Sequence, residues 1–596
     1  MNAVALNGVS DQPLGGDPTL RSTSRSMPDA TALKRILRGT FGLRNLREGQ
    51  EAVISSVLRG EPTLAIMPTG AGKSLCYQLA ALALPGMTIV ASPLIALMKD
   101  QCDKLRDMGI EACQFNSGIS ANERSAAEEA ILTRTTKIVF TTPERLANPA
   151  FVDLISDQQV SLFVIDEAHC ISQWGHDFRP AFLEVGQALA RLGRPRILAL
   201  TATATQPIID DIAAQLGVRQ FEIVNTGTYR ENLHYHVTQV TNDADKLDRA
   251  VAIACESNGS GLIYTATIKA AETVHAALIA AGVEAVIYHG RVGLTQRREA
   301  QDAFMSGRAR VMVATNAFGL GIDKPDTRFV LHYQMPAGLD AYYQESGRAG
   351  RDGAPADCTL LFLYADRAVQ QFFLAGKYPS REDLIATYTA LQSGRDDGHP
   401  WTLERLEAAL DVSKTKLQVA LRLLRSQKVA LMASDGSLTL TRHGLGDPAL
   451  ERLLEGYRAK READRAMLEE MVFFAQTGRC RWKVLLDHFG EALDADACGS
   501  CDNCRRIAAA NETAGRAASV APDVAGPAPA ATPLRQFAPG DAVLVPRYGQ
   551  GIVDAIDAVG VTVVFADNHR RMFLATFVRH APASTRSRRA GLARAA

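Results

Sequence analysis

The segment from Met67 to Ser74 has the residue types and spacing of a loop that binds phosphate. It reads Met-Pro-Thr-Gly-Ala-Gly-Lys-Ser and lies between an apolar run at 63–67 and a helical pattern that begins at Leu75. Glycines allow backbone N–H groups and the start of the following helix to surround phosphate oxygens. We expect Lys73 to reach the β- and γ-phosphates of a nucleotide and the Ser74 hydroxyl to bind Mg²⁺. The loop residues predicted to contact nucleotide are Thr69, Gly70, Gly72, Lys73 and Ser74.

Two adjacent carboxylates follow another apolar run further along the chain. The run Ser161–Ile165 leads directly into Asp166 and Glu167. At the carboxyl end of a buried strand, Asp166 would anchor Mg²⁺ and Glu167 would orient and deprotonate an attacking water. Without the phosphate loop, an acid pair at the start of a helix would be the better interpretation. Together the two motifs predict a nucleoside triphosphatase.

A pair of arginines occupies the segment 344–353, which reads Gln-Glu-Ser-Gly-Arg-Ala-Gly-Arg-Asp-Gly. Arg348 and Arg351 are spaced so that adjacent helical turns would direct both side chains the same way. Guanidinium groups offered across a cleft stabilise the charge that develops on a γ-phosphate during hydrolysis. The alternative, a pair of surface salt bridges, suits an isolated arginine better. The predicted catalytic residues are Lys73, Asp166, Glu167, Arg348 and Arg351.

Four of the ten cysteines fall close together near the end of the chain. They are Cys480, Cys498, Cys501 and Cys504, whereas the other six are scattered singly among apolar segments. Four thiolates are enough to close a tetrahedral structural Zn²⁺ site. An iron–sulfur cluster is the alternative, although ferredoxin-type runs add a further cysteine and then proline. Here Arg505 and Arg506 follow instead, which favours zinc.

The bulk composition excludes several classes of protein. The chain has 596 residues, of which 47% are hydrophobic and 22% charged, as expected for several globular domains. Its 65 basic and 65 acidic side chains cancel, so any contact with nucleic acid must come from local arrangement. No stretch approaches the length of a membrane span, and the first thirty residues contain no apolar core segment. We expect a cytoplasmic protein without a membrane partner, associated with the nucleoid if its source is bacterial.

Continuous apolar runs alternate with helical patterns through the first part of the chain, which predicts an α/β fold with two parallel-sheet lobes. Continuous runs are typical of strands covered on both faces. The predicted strands are 63–67, 87–92, 137–141, 162–166 and 197–201, followed by 261–264, 284–288, 310–314, 329–333 and 359–363. We assign residues 31–228 to the first lobe and 229–375 to the second. A cleft between them would hold the ligand.

The remaining segments do not continue the alternation of apolar runs and helical patterns that is seen in the two lobes. Residues 400–445 predict two helices and a hairpin, which suggests a winged helix, and a helical packing insert is the alternative. Residues 446–506 form a helical module that ends in the cysteines, and an Ala, Pro and Gly-rich linker follows at 507–534. Residues 535–582 alternate as short strands and predict a small β-barrel of SH3 or Tudor type. The N-terminal residues 1–30 and the basic tail 583–596 are predicted to be disordered.

Taken together, these motifs resemble superfamily 2 helicases with two RecA-like lobes, and most closely the RecQ family, over residues 40–370 and the cysteine cluster. Leu46–Gln50 resembles the family's adenine-sensing motif, which implies that Gln50 contacts the base. Other segments resemble motifs that track the strand or couple it to hydrolysis: 91–101, 142–146, 201–204 and 314–325. Two positions depart from the usual pattern, because Met67 replaces a glycine and Asp323 stands where asparagine is common.

The segment 171–180 directly follows the acidic pair and reads Ile-Ser-Gln-Trp-Gly-His-Asp-Phe-Arg-Pro. It resembles the aromatic-rich loop of the RecQ family, which implies rings that stack on bases of single-stranded DNA and an arginine that contacts the strand. RNA helicases of the same superfamily lack this loop. Core packing of Trp174 and Phe178 is the alternative. The implied DNA-binding residues are Trp174, His176, Phe178 and Arg179.

The resemblance implies an ATP-dependent DNA helicase that uses Mg²⁺ and a structural Zn²⁺. It further implies 3′ to 5′ movement on single-stranded DNA, unwinding of duplex or branched DNA, and a setting in repair or recombination. The C-terminal barrel is a candidate site for a protein partner from the transcription or repair machinery. The chain departs from the family's usual order, which places a winged helix after the zinc site. Two alternatives are an RNA helicase, disfavoured by the aromatic-rich loop, and a DNA-binding scaffold with an inactive ATPase, disfavoured by the intact motifs.

Overall fold

The computed structural model describes most of the chain outside its ends. The described residues are 30–172, 181–182, 185–316, 318, 324–393, 399–433, 436–519, 537–545, 548–556, 560–565 and 570–581. Among these residues, no helix combines the length and the apolar character needed to cross a membrane. The predicted disordered N-terminus and basic tail lie almost wholly outside the described residues.

The first lobe is a parallel sheet with helices on both faces. Its elements are α1 (Ala30–Gly39), α2 (Gln50–Arg59), β1 (Thr63–Ile66), α3 (Lys73–Ala83), β2 (Met87–Ala91), α4 (Ile95–Asp107), β3 (Ala112–Phe115), α5 (Ala121–Leu132), β4 (Ile138–Thr141), α6 (Pro143–Leu146), α7 (Pro149–Ser156), β5 (Val160–Ile165), α8 (Val185–Arg191), β6 (Arg196–Thr201), α9 (Gln206–Leu216) and β7 (Glu222–Asn225). The strand order is β3-β4-β2-β5-β6-β1-β7, and every pair is parallel. Separate apolar clusters cover the two faces of the sheet, which explains the continuous apolar runs of its central strands.

The second lobe repeats this architecture. Its elements are β8 (Leu233–Gln239), α10 (Asp243–Glu256), β9 (Ser260–Thr265), α11 (Ile268–Ala280), β10 (Ala285–Tyr288), α12 (Leu294–Met305), β11 (Val311–Thr315), β12 (Thr327–His332), α13 (Leu339–Ser346), β13 (Ala356–Phe362) and α14 (Arg367–Lys377). The order β10-β11-β9-β12-β13-β8 is also parallel throughout. The prediction of two parallel-sheet lobes is therefore confirmed.

Three strands at the sheet edges, β3, β7 and β8, are absent from the sequence prediction. An edge strand is not covered on both faces and lacks a continuous apolar run. In β7, for example, Glu222 and Ile223 are both exposed. The apolar-run criterion therefore detects the middle of each sheet and misses three of the four edge strands, whereas the edge strand β10 was predicted.

A small helical unit with a hairpin follows the second lobe. It consists of α15 (Arg381–Ser393), α16 (Leu403–Ala409), α17 (Lys414–Ser426), β14 (Ala430–Met432) and β15 (Leu438–Leu440). The hairpin strands pair antiparallel, and an apolar cluster joins them to α15 and α17. The helices and hairpin thus lie where the sequence predicted them. Their identity as a winged helix stays a prediction.

The cysteine-bearing module is built from α18 (Asp447–Gln476), α19 (Arg481–Phe489) and α20 (Asp502–Ser519). The start of the predicted linker differs from the sequence interpretation, because α20 continues through residue 519 where a linker was expected from 507. The stretch is rich in alanine, which has the highest intrinsic helix propensity. Residues 520–534 lie outside the described residues.

The C-terminal strands form an antiparallel sheet that contacts the rest of the chain. They are β16 (Ala542–Val545), β17 (Gly549–Ile556), β18 (Val561–Phe565), β19 (Arg570–Phe573) and β20 (Arg579–His580), in the order β19-β18-β17-β16-β20. In the described part of the chain β19 and β20 do not pair, so the sheet is open and the predicted closed barrel is not seen. Instead, Phe573 of β19 forms a β-bridge with Thr477 at the end of α18. Phe577 packs edge-on against Phe362 of β13, with ring centroids 6.4 Å apart.

Candidate functional site

The residues predicted to bind nucleotide and to catalyse hydrolysis line one cleft between the two lobes. The cleft has a volume of about 540 Å³. From the first lobe it is lined by Gln50, Thr69, Gly70, Gly72, Lys73, Ser74, Asp166 and Glu167, and from the second by Arg348 and Arg351. Their roles stay predictions, but the structure brings every one of them together.

The phosphate loop connects β1 to α3 and is shaped by its glycines. Gly70 and Gly72 have φ of 89° and 82°, in the left-handed region that disfavours other residues, and Gly72 directly precedes the first turn of α3. The Lys73 ammonium donates a hydrogen bond of 3.0 Å to the Met67 carbonyl oxygen and so spans the loop. Burial lowers the pKa of Lys73, and the carboxylates of Glu167 and Asp166 oppose this shift. The loop therefore presents a positive charge at the start of a helix, which suits an anion.

Gln50 and Arg47 hold the far side of the same loop. The Gln50 amide donates to the carbonyl oxygens of Ala71 and Gly72 at 3.2 and 3.0 Å, and its Oε1 accepts from the Arg47 N–H at 2.8 Å. The Arg47 guanidinium donates to the Gly70 carbonyl at 2.6 Å. The base-reading residue implied by the sequence is thus physically linked to the loop backbone. Arg47 was not predicted as a site residue, although it lies within the same motif.

Asp166 and Glu167 follow β5 at the floor of the cleft. Asp166 accepts a hydrogen bond of 3.2 Å from Ser92. Burial and the neighbouring Glu167 charge raise the pKa of Asp166 to about 7, while Lys73 and the Ser92 hydroxyl oppose the shift. A divalent cation bound there would relieve the crowding of negative charge that raises the pKa of Asp166. The donor set therefore fits Mg²⁺ held through Ser74 and Asp166.

Glu167 has an unusual backbone conformation for a non-glycine residue. Its φ of 52° and ψ of 51° lie in the left-handed region. Such conformations cost about 1–3 kcal/mol and concentrate at functional sites. One carboxylate oxygen lies 3.4 Å from Nδ1 of the buried His169, which is also 3.1 Å from the Thr201 hydroxyl. The turn directs Glu167 into the cleft, where it could orient a water molecule.

The arginines reach the cleft from the segment that follows α13. The Arg348 side chain is buried, and Arg351 lies beside Gly70 of the phosphate loop. A Cβ atom placed on Gly70 would be 3.4 Å from Arg351 Cγ, so the glycine permits this close approach. The guanidinium groups and the lysine therefore approach the same region from opposite lobes.

Two residues that the sequence analysis missed hold the arginine segment in place. The Arg230 guanidinium donates to the carbonyl oxygens of Gly347, Ala349 and Gly350 at 2.8, 2.9 and 2.6 Å. Asn232 donates to the Gly350 carbonyl at 2.8 Å. No local pattern could have identified these residues, because their partners are more than a hundred positions away in sequence.

The residues implied to bind DNA lie outside the described residues. These are Trp174, His176, Phe178 and Arg179. Immediately before them, the Ser172 hydroxyl donates to the Asp211 carboxylate of α9 at 2.8 Å. The described start of this segment is therefore fixed a few residues from Glu167. Half of the motif 314–325, including Asp323, also lies outside the described residues.

The four clustered cysteines form a closed set of sulfur atoms. All four Sγ atoms lie within 4.8 Å of one another, and three of the residues are buried. Ligands at Zn–S distances of about 2.3 Å would be about 3.8 Å apart in a tetrahedron, and Sγ of Cys498 and Sγ of Cys504 are separated by 3.8 Å. Backbone N–H groups of Arg481 and Cys504 point at Cys501 Sγ from 3.4 and 3.5 Å, and such donors would stabilise a metal-bound thiolate. The cluster fits a structural zinc ion.

A buried ion pair within the module and two hydrogen bonds to β8 join this centre to the second lobe. Arg481, 1% exposed, forms a bidentate pair with Asp502 through contacts of 2.9 and 3.0 Å. Asp502 also accepts from the Val237 N–H of β8 at 3.0 Å. The Trp482 indole donates to the Leu233 carbonyl at 3.0 Å. The zinc centre is thus part of the second lobe's core rather than a separate appendage.

The chain was compared with family models and with solved structures. Three family models match: DEAD/DEAH box helicase over residues 47–212, Helicase conserved C-terminal domain over 244–353 and RecQ zinc-binding over 448–505. Among solved structures, the chain is similar to the helicase Lhr of Mycobacterium smegmatis bound to ssDNA and AMP-PNP, with a TM-score of 0.48 and 22% identity over 74% of this chain and 62% of that chain.

Curated relatives fall into two groups by coverage. The ATP-dependent DNA helicase RecQ of Bacillus subtilis is 44% identical over 57% of this chain and 57% of its own length, so the match spans little more than half of that relative. The ATP-dependent DNA helicase RecQ of Synechocystis sp. is 35% identical over 80% of this chain and 99% of its own length. The probable ATP-dependent DNA helicase RecS of Bacillus subtilis is 33% identical over 78% and 90%. This chain therefore belongs to the RecQ family.

Proposed function

We propose that this protein is an ATP-dependent DNA helicase that moves 3′ to 5′ along single-stranded DNA and unwinds duplex or branched DNA in repair or recombination. The observation that carries the proposal is the single cleft in which Lys73, Asp166 and Glu167 of one lobe meet Arg348 and Arg351 of the other. The names of its curated relatives, which are DNA helicases, support the choice of DNA as substrate.

In this proposal the first lobe binds ATP and positions water. Lys73 and the loop N–H groups hold the phosphates, Ser74 and Asp166 hold Mg²⁺, and Gln50 contacts the adenine. Mg²⁺ held by these residues would neutralise charge on the phosphate oxygens. Glu167, directed into the cleft by its left-handed backbone, orients and deprotonates the attacking water.

The arginines couple hydrolysis to movement of the lobes. Arg348 and Arg351 belong to the second lobe, so they can stabilise the transition state only when the cleft is closed. After hydrolysis the charge that attracts them is divided between products, and the cleft can open. Alternation between the two states would advance the protein along a strand that crosses both lobes.

DNA occupancy would be sensed by the aromatic-rich loop. Trp174 and Phe178 would stack on bases, with His176 and Arg179 contacting the strand. Ser172, fixed by Asp211, separates this loop from Glu167 by only a short turn. A change in loop position on DNA binding could therefore alter the carboxylate that orients water.

The other modules have supporting roles in this proposal. Zn²⁺ bound by the cysteine cluster would stabilise the fold of the module 446–506, and the winged-helix-like segment 400–445 would contact duplex DNA. The C-terminal sheet, within 535–582, would bind a protein partner of the transcription or repair machinery. We retain the boundary near residue 228 between the two lobes as part of the proposal.

A strand-displacement assay with ATP tests the function directly. The substrates are forked DNA and RNA with either a 3′ or a 5′ single-stranded tail, and the control is the variant Lys73→Ala. We expect displacement of DNA from the 3′-tailed substrate by the wild type alone. Displacement of RNA would favour an RNA helicase, and binding without hydrolysis or displacement would favour an inactive scaffold.

A further inference from the structure

The segment that joins the two lobes is fixed by contacts on both sides. We call residues 226–232, between the end of β7 and the start of β8, the strap. Its Gly227 has a φ of 79°, and the Gly227 N–H donates to the Asn225 side chain at 2.9 Å. These contacts create a tight turn at Thr228, a residue only 1% exposed. The strap is therefore an ordered turn rather than a loose connection.

On one side, the strap is held by a carboxylate from the zinc module. One oxygen of Glu491 accepts from the Thr228 N–H at 2.7 Å and from the Thr228 hydroxyl at 2.9 Å. The other oxygen accepts from Asn225 at 3.3 Å. Glu491 follows the end of α19, more than 260 positions away in sequence. A single side chain thus accepts hydrogen bonds from both the backbone N–H and the hydroxyl of the buried Thr228.

On the other side, the strap is held by the helix that leads to the arginines. The Tyr343 hydroxyl of α13 donates to the Thr228 carbonyl at 2.6 Å. Arg230, two residues further along the strap, donates to the carbonyls of Gly347, Ala349 and Gly350. Those carbonyls flank Arg348 and directly precede Arg351. The position of the strap therefore sets the position of both arginines.

We propose that Glu491 is a positioning residue for ATP hydrolysis: by fixing the strap at Thr228, it keeps Arg348 and Arg351 in register with the phosphate loop. This inference rests on the proposed ATPase function. Without the carboxylate, a buried N–H and a buried hydroxyl lose their acceptor, so the turn must move to regain hydrogen bonds. Arg351 lies in contact distance of Gly70, and a shift of this kind would misplace it. Glu491 does not itself line the cleft.

Steady-state ATP hydrolysis in the presence of single-stranded DNA tests this role. We expect Glu491→Ala to lower kcat about tenfold, because small misplacements of catalytic groups have large effects on rate. The KM for ATP should stay within about twofold, since Gln50 and the phosphate loop are untouched. Glu491→Gln keeps one acceptor oxygen for Thr228 and should recover kcat to within about threefold of wild type. Asp494→Ala, at an exposed acid of the same loop, is the matched control and should equal wild type.

Zinc content and a second variant keep the test decisive. Each variant should contain about one zinc per chain, as in wild type. If Glu491→Ala loses zinc, the variant Thr228→Val is tested in its place. Valine keeps the backbone N–H and the branched shape but removes the hydroxyl donor, so we again expect a lower kcat at unchanged KM. If the wild type hydrolyses ATP and the folded variants have the same kcat, Glu491 does not have the proposed role. A wild type that hydrolyses no ATP with DNA would instead overturn the proposed function.

Discussion

Replacing Asp502 by asparagine should loosen the zinc module from the second lobe. The Asp502 carboxylate faces the guanidinium of Arg481, which is 1% exposed, and it also accepts from the Val237 N–H of β8. Removing one partner of a buried ion pair leaves the other charge uncompensated, which costs about 3–5 kcal/mol. An amide oxygen still accepts one hydrogen bond, so we expect a loss near the lower end, about 3 kcal/mol.

A surface pair in the same module provides the matched control. Arg479 and Asp487 are 2.7 Å apart, but their side chains are 39% and 48% exposed. Exposed pairs contribute about 0–1 kcal/mol, so Asp487→Asn should have a small effect. The two substitutions make the same chemical change, but Asp502 faces a buried arginine and also accepts from the Val237 N–H, whereas Asp487 faces an exposed arginine. Their comparison therefore measures how much more the buried pair contributes than an exposed one.

The assay is urea denaturation, in which unfolding is monitored by the release of zinc and, as a second probe, by the loss of helical circular dichroism. The double variant Arg481→Met/Asp502→Asn should regain part of the loss, because the isolated buried charge is gone. Burial alone would raise the pKa of Asp502, but the Arg481 charge and hydrogen bonds lower it. The pair therefore stabilises the fold above the unfolded-state pKa of about 3.9, and this stabilisation is lost as the pH falls through the lower folded-state pKa. An effect of Asp502→Asn no larger than that of Asp487→Asn would refute the reasoning.

Four further predictions concern the nucleotide site, the DNA loop, the metal and the pH dependence. Lys73→Ala should abolish ATP hydrolysis yet retain single-stranded DNA binding in an anisotropy titration, and substantial turnover would remove the motor assignment. Trp174→Ala should reduce the stimulation of hydrolysis by DNA more than the basal rate, whereas equal losses would favour a core position for the ring. Metal analysis of anaerobically purified protein should find about one zinc per chain without a visible absorption band, and a brown, iron-loaded sample would contradict the assignment. Burial alone would lower the pKa of His488, but hydrogen bonds to Asp340 and Glu470 raise it to about 10. The protonated His488 therefore stabilises the fold fully below the unfolded-state pKa of about 6.5, and this stabilisation is lost as the pH rises through about 10. The melting temperatures of wild type and His488→Gln should differ at pH 6 and converge above pH 10.

The catalytic side of the site was predictable because its residues sit next to strand ends. The phosphate loop and the acid pair each follow a buried apolar run, and parallel strands bring such positions to one sheet edge. The sequence therefore indicated that Lys73, Asp166 and Glu167 would meet. Arg348 and Arg351 could be added because their spacing and glycines suit a closing lobe. The structure places all five in one cleft.

The residues that hold this site in place carried no comparable signal. Arg230, Asn232 and Glu491 act through backbone groups far away in sequence, and a lone polar residue outside a repeated pattern predicts nothing about its partner. A backbone carbonyl oxygen can also serve as a partner at any residue type, so the sequence does not reveal which carbonyl a side chain will contact. Only the tertiary fold shows that the zinc module, the strap and the arginine segment form one network.

The C-terminal sheet illustrates a different limit of sequence reasoning. Its position after an Ala, Pro and Gly-rich stretch predicted a module on a flexible tether, for which linker length sets the local concentration. The structure instead shows a β-bridge between Thr477 and Phe573 and edge-to-face packing of Phe473 on Phe573, with ring centroids 6.4 Å apart. Aromatic pairs of this kind contribute about 0.5–1.5 kcal/mol beyond the area they bury. The sheet is therefore held against the end of α18, the helix that leads directly into the cysteine cluster, and its placement depends on those contacts as well as on the linker.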